Sequence, residues 1–167
     1  TVFNRSNDLW WGACGANAVQ FSFIQEFVAN ALGIEVGVYN QVTNNLHLYL
    51  DIYNGQHYVE NPNLLESRIN YKSIDVNNPS LLSGTTYDTF LKECSHFCRS
   101  PFLEKPYQSD FLRCVAYPMA MVSKARKEGG DGLEWAERIF YDDWRLATTA
   151  WVHRREDARN TSKLIEA

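Results

Sequence analysis

Residues 5–49 constrain this chain more than any other stretch. They read RSNDLWWGACGANAVQFSFIQEFVANALGIEVGVYNQVTNNLHLY and string together an extended segment, a glycine-rich turn, an apolar helix and a polar strand. From Ala16 onward Phe23, Ile24, Phe27, Val28, Ala31 and Leu32 recur at the spacing of a broad helical face. Gly33 is placed to end that helix. Val2 and Phe3 begin a short extended segment ahead of it. Residues 36–42 and 46–53 mix β-branched and aromatic residues with polar ones, which predicts two strands around an Asn44-Asn45 bend.

The length of 167 residues suits one domain, 1–167, with one core and no linker. Sixteen basic against twenty acidic residues give a net charge of −4, which provides no general attraction to nucleic acid or to an anionic membrane. Four cysteines are too sparse for a secreted disulfide scaffold, and no apolar run approaches a membrane span or a signal-peptide core. Reduced thiols in a cytoplasmic compartment are therefore expected. The start, TVFNRSND, lacks an initiator methionine and enters directly into a strand-like segment, as expected for a piece of a longer protein.

Beyond the opening stretch, glycines, prolines and asparagines over residues 54–84 predict irregular structure, with a short strand at 68–74. Thr86 is placed to cap a helix through about Arg99. Ser109 is placed to cap another through about Lys127, kinked or interrupted at Pro118, and Asp131 a last one ending near Glu156. The tail ARNTSKLIEA reads as frayed, and the basic runs KARK and HRRE read as solvated helix faces.

Several side chains in the opening stretch suit a small-molecule pocket. Arg5 and Ser6 present a planar cationic fork and a hydroxyl, a pairing suited to phosphate or carboxylate oxygens. The glycines of GACGAN let backbone approach a flat ligand. His47 and Tyr49, two apart on an extended chain, point to one face. Of Trp10 and Trp11, one is expected in the core. Cys14 reads as a small buried thiol filling a turn and not as a nucleophile. Cys94, His96 and Cys98 have metal-ligand chemistry, but on a helix the cysteines at i and i+4 share a face and the histidine at i+2 points away, so no metal is expected.

The order RSND, glycines leading to Asn17 at a helix start, the helix, then NLHLY resembles the thymidylate synthases and the related phage deoxynucleotide hydroxymethylases. The match covers about the first 55 residues strongly and identifies the chain as the C-terminal portion of such a protein. The resemblance implies a truncated α/β (α+β) thymidylate synthase-like fold: a largely antiparallel or mixed sheet with helices packed on one face, and the other face free for a homodimer partner. It implies that Arg5 and Ser6 hold the phosphate of a dUMP-like nucleotide, that Asp8 lies between nucleotide and folate, and that Gly12 lines the folate side. It further implies that Asn17 reads the uracil edge, although Asn17 lies one residue further from the glycine than in cellular synthases. His47 and Tyr49 match the HxY pair that bonds the sugar 3′-hydroxyl. An Asn amide carries a donor and an acceptor in one plane, matching uracil, whereas a carboxylate suits the amino group of cytosine.

The family nucleophile is a cysteine in a Pro-Cys-His segment upstream of RSxD, and these 167 residues contain no such segment. The fragment alone is thus expected to lack the catalytic residue. The implied reaction is one-carbon transfer from 5,10-methylenetetrahydrofolate, a cosubstrate, to C5 of dUMP with reduction to dTMP, in the cytoplasm of a bacterial or phage-infected cell. The alternatives are a dUMP or dCMP hydroxymethylase, or a non-catalytic nucleotide-binding or dimerisation module.

Overall fold

The computed structural model describes residues 1–51, 55–61 and 80–165, with residues 158–165 as backbone alone. The chain divides into two compact units, Thr1–Asn70 and Tyr71–Ala167. The strand expected at 68–74 lies outside the described residues.

In the first unit, β1 (Val2–Asp8) leads through one wide π-helical turn (Leu9–Ala13) into α1 (Ala16–Leu32), then β2 (Gln41–His47) and a short α2 (Gly55–Glu60). The helix ends as its sequence predicts. Gly33 adopts φ 67°, its N–H reaches the Asn30 carbonyl, and the N–H of Ile34 reaches back to Ala29 at 3.0 Å, satisfying carbonyls that the last turn leaves open.

The two strands are parallel, from Val2↔Gln41 to Asp8↔His47, so the described sheet is a small parallel pair and not the largely antiparallel or mixed sheet expected. The reason is the connection: parallel neighbours need a crossover of a dozen or more residues, and α1 provides one. The Asn44-Asn45 bend is also overturned. Both residues lie inside β2, whose pairing with β1 overrides their turn preference. The strand expected over 36–42 starts only at Gln41, and the one expected over 46–53 is the end of this same β2. A helix, α2, occupies part of what was read as irregular, and its Gly55 lies so close to the chain before it that a Cβ would meet the Tyr49 carbonyl oxygen at 2.1 Å.

The apolar face of α1 does not form a core in the described residues. Ile24, Val28 and Leu32 remain 54, 47 and 67 % exposed, and Ala29 is the buried apolar residue of the helix. A two-stranded ribbon is too narrow to cover a 17-residue helix.

In the second unit, α3 (Tyr87–Arg99) begins where Thr86 accepts the N–H of Thr89, as predicted. A helical run from Asp110 passes through a π-helical turn (Leu112–Ala116) into α4 (Tyr117–Lys127), and buried Ser109 caps its start by accepting the Leu112 N–H at 3.2 Å. Pro118 has no N–H for the Cys114 carbonyl four residues back, and that carbonyl accepts the Phe140 N–H at 3.2 Å instead.

The expected final helix is two: α5 (Leu133–Glu137) and α6 (Asp142–Ile165). Residues 138–141 break it, the Phe140 N–H being committed to Cys114 while the Arg145 guanidinium donates to the carbonyls of Ile139 and Phe140. The N-cap of α5 is Gly132 and not the expected Asp131, which stands one residue earlier and accepts the Leu133 N–H at 2.9 Å. The α6 backbone stays helical to Ile165, beyond Glu156 and through most of the tail expected to fray. Val122, Ala136 and Val152 form the buried core here, with Leu133 and Trp135 packed on it. Arg126, expected on a solvated face, is instead 2.8 Å from Glu156 and lies over the Trp151 ring. Among the described residues no helix is long and apolar enough to cross a membrane.

Candidate functional site

Parallel strands that end level with each other leave their carboxyl ends open as a shared platform, the usual location of ligands in such sheets. Here Asp8 and His47 close β1 and β2 as register partners. Side chains of paired residues share a face, so Ser6, Asp8, Asn45 and His47 lie together. The Ser6 hydroxyl is 3.4 Å from His47 Nδ1, a hydrogen bond whose direction follows the imidazole tautomer. The Tyr49 ring meets that of His47 edge-on, centroids 5.0 Å apart and planes at 85°. Three of the residues singled out in the sequence are thereby brought into one polar cluster. Arg5 is exposed, and strand alternation puts it on the Asn7 face, opposite Ser6.

Asn17, in the first turn of α1, is held by a residue that sequence reasoning passed over. Asn7 is 2 % exposed, and its Oδ1 accepts a hydrogen bond from Asn17 Nδ2 at 3.1 Å. One amide donor of Asn17 is thus engaged, which leaves its oxygen and its second N–H to meet a ligand edge. Gly12 makes the pairing fit: a Cβ there would lie 1.6 Å from Asn7 Oδ1 and 3.2 Å from Asn17 Nδ2. In the sequence Asn7 is one more polar residue of β1, and what singles it out is Asn17, which the fold brings to it.

The π-helical turn links the two faces. Its Cys14 N–H donates to the Leu9 carbonyl five residues back, at 3.0 Å, so the turn holds one residue more than an α-helical turn would. That geometry delivers Asn17 to Asn7. Asp8 caps the turn through one carboxylate oxygen, which accepts the Trp11 N–H at 2.6 Å. Its other oxygen is buried without a hydrogen-bond partner, as are Asn4 Nδ2, Asn7 Nδ2 and Trp10 Nε1. Each such atom costs about 1–3 kcal/mol unless something meets it. The half-buried Trp10 stacks edge-on with Tyr58 of α2, centroids 5.2 Å apart, while Trp11 is 59 % exposed. Cys14, expected to be buried, is exposed at the end of the same turn.

In the second unit, burial pushes the Cys94 thiol up to about 11, with Cys98 and Glu93 adding to the effect, and His96 Nδ1 lies 3.3 Å from Lys105 Nζ. Among the described residues no three His, Cys, Asp or Glu side chains converge as metal ligands.

Comparison with known proteins places these residues in context. The chain is 34 % identical to a deoxyuridylate hydroxymethyltransferase of Pseudomonas phage M6 over an alignment of 173 positions, which takes in 98 % of the chain and 49 % of the relative. It is 60 % identical over 53 residues to a deoxyuridylate hydroxymethyltransferase of Bacillus phage SP01, covering 32 % of the chain and 14 % of that protein. The chain thus spans about half the length of the M6 relative and a smaller share of the SP01 one. No family model matches, and no solved structure matches.

Proposed function

We infer, from a chain that belongs to the family of thymidylate synthases and deoxynucleotide hydroxymethylases, that it is the nucleotide-holding portion of a phage enzyme transferring a hydroxymethyl group to C5 of dUMP. The similarity to the M6 enzyme along nearly the whole chain carries this reading. It favours hydroxymethyl transfer over the methyl transfer to dTMP that the motifs alone put first. Both reactions draw the carbon from 5,10-methylenetetrahydrofolate, and both need the cysteine nucleophile of a Pro-Cys-His segment, which is assigned to the remainder of a longer, homodimeric protein.

The geometry supports the binding roles. Ser6, His47 and Tyr49 form a polar wall suited to phosphate and sugar oxygens, whereas Arg5, expected beside Ser6 on the phosphate, lies on the opposite strand face and does not join that wall. The Asn17 amide, fixed by Asn7, offers one acceptor and one donor to the N3–H and O4 of uracil. For the folate, the fit rests on the partnerless oxygen of Asp8, an acceptor for a pterin N–H beside the aromatic wall of Trp10. When bound, that cosubstrate supplies the one-carbon unit. The residues of this chain hold the nucleotide and turn its C5 edge toward it.

The test is to incubate the full-length phage protein with dUMP and methylenetetrahydrofolate and weigh the product. A gain of CH2O supports the proposal, a gain of CH2 makes the enzyme a synthase, and dUMP binding without product leaves a binding module. Replacing dUMP by dCMP checks the base: Asn17→Asp is expected to shift preference toward dCMP, and unchanged selectivity would remove Asn17 from the base contact.

A further inference from the structure

The second unit contains a cavity that the nucleotide site does not use. Thr89, Lys92, Glu93 and His96 stand at i, i+3, i+4 and i+7 on α3, one continuous face. Across from them lie Lys105, Pro106 and Tyr107, and the space between has a volume of about 420 Å³. That is the range of small-molecule pockets.

The charges of this cavity do not cancel. Both carboxylate oxygens of Glu93 are occupied, accepting the backbone N–H groups of Gln108 at 2.7 Å and Ser109 at 3.0 Å, so this side chain ties the loop to α3. Among the described residues, neither Lys92 nor Lys105 has a carboxylate within ion-pair distance. An ammonium only donates, so the 3.3 Å contact of Lys105 Nζ with His96 Nδ1 makes that nitrogen the acceptor and puts the ring proton on Nε2. His96 Nε2 is buried and lacks a partner. So does the hydroxyl of Tyr107, a residue only 4 % exposed. Burying polar atoms unmet is costly, and both of these belong to residues that line one basic cavity.

We propose that α3 and the 105–107 segment form a second ligand site, separate from the candidate nucleotide site, for a small molecule carrying a phosphate monoester. The donor set favours phosphate over carboxylate: two lysine point charges, an imidazole N–H and a phenol suit a compact tetrahedral anion, whereas planar carboxylate recognition favours the arginine fork, absent from this lining. The volume leaves room for the organic group that the phosphate carries.

Glycerol 3-phosphate is the probe, with inorganic phosphate and citrate beside it, each titrated into the protein by calorimetry and followed by amide NMR shifts. The expected result is saturable binding of glycerol 3-phosphate that moves amides of residues 89–107. Lys105→Ala, at an exposed position, weakens it about tenfold or more, and the isosteric Tyr107→Phe weakens it severalfold while the fold, checked by thermal melting, stays intact. Arg5→Ala leaves it unchanged. Absence of saturable binding overturns the proposal, as does binding insensitive to Lys105→Ala or abolished by Arg5→Ala. Citrate binding as tightly as glycerol 3-phosphate overturns the choice of phosphate. Binding of inorganic phosphate alone reduces the site to one for the free ion and overturns the monoester.

Discussion

At the scale of single residues, the candidate site depends on a glycine, two amides and a carboxylate. Gly12 leaves no room for a side chain, since a Cβ would overlap the Asn7 oxygen. Gly12→Ala is therefore expected to cost about 1–3 kcal/mol of stability, seen as a lowered denaturation midpoint, and to weaken dUMP binding by turning Asn17 away. A variant with wild-type stability and dUMP affinity would show that the Asn7–Asn17 pair tolerates displacement. The thiols give a second prediction. Burial, then Cys98 and Glu93, raise Cys94 to about 11, so its thiolate forms only at strongly alkaline pH. Iodoacetamide at pH 8 is expected to label exposed Cys14 well before Cys94, with the Cys94 rate rising about tenfold per pH unit up to that value. Mass spectrometry of digested samples measures both. Arg5, Asp8, His47 and Asn17 stood out in the sequence as candidates because their chemistry is written in their side chains. Asn7 was not, because its role is to hold another amide and only the fold puts it beside Asn17.

At the scale of elements, caps and breaks follow local chemistry where the bonding partners are local. Thr86 opens α3 and Gly33 closes α1, each through a contact within a few residues. Thr86→Ala is expected to cost about 1 kcal/mol, measured by urea denaturation, with no change in nucleotide binding. The elements that departed from expectation involve distant partners. Asn44 and Asn45 remain strand because β2 pairs along β1. The last helix breaks at 138–141 because the Phe140 N–H serves the carbonyl that Pro118 leaves open on Cys114. A proline in one helix thereby shapes the boundary of another, a dependence that no window of sequence contains.

At the scale of the whole molecule, the two units differ in how they hold together. In the second, Val115, Ala136, Ile139 and Val152 are fully buried. Ile139→Ala is expected to destabilise it by about 2–5 kcal/mol, and Ile139→Val by about 0.5–1.5 kcal/mol, both read from denaturant melts. Equal effects of the two would mean that the site collapses around the smaller side chain. The first unit keeps much of its apolar surface in solvent: Phe3 and Val38 are 78 and 81 % exposed. Its described order comes from a strand pair, capped turns and polar contacts more than from a core. The sequence by itself determined the start of α3, the end of α1 and the motif order that carries the family resemblance, because capping, periodicity and side-chain chemistry act over a few residues. Only the tertiary structure decided the parallel direction of the strands, the partner of Asn17 and the break before α6, because each depends on which backbone and amide groups distant segments bring within hydrogen-bond reach.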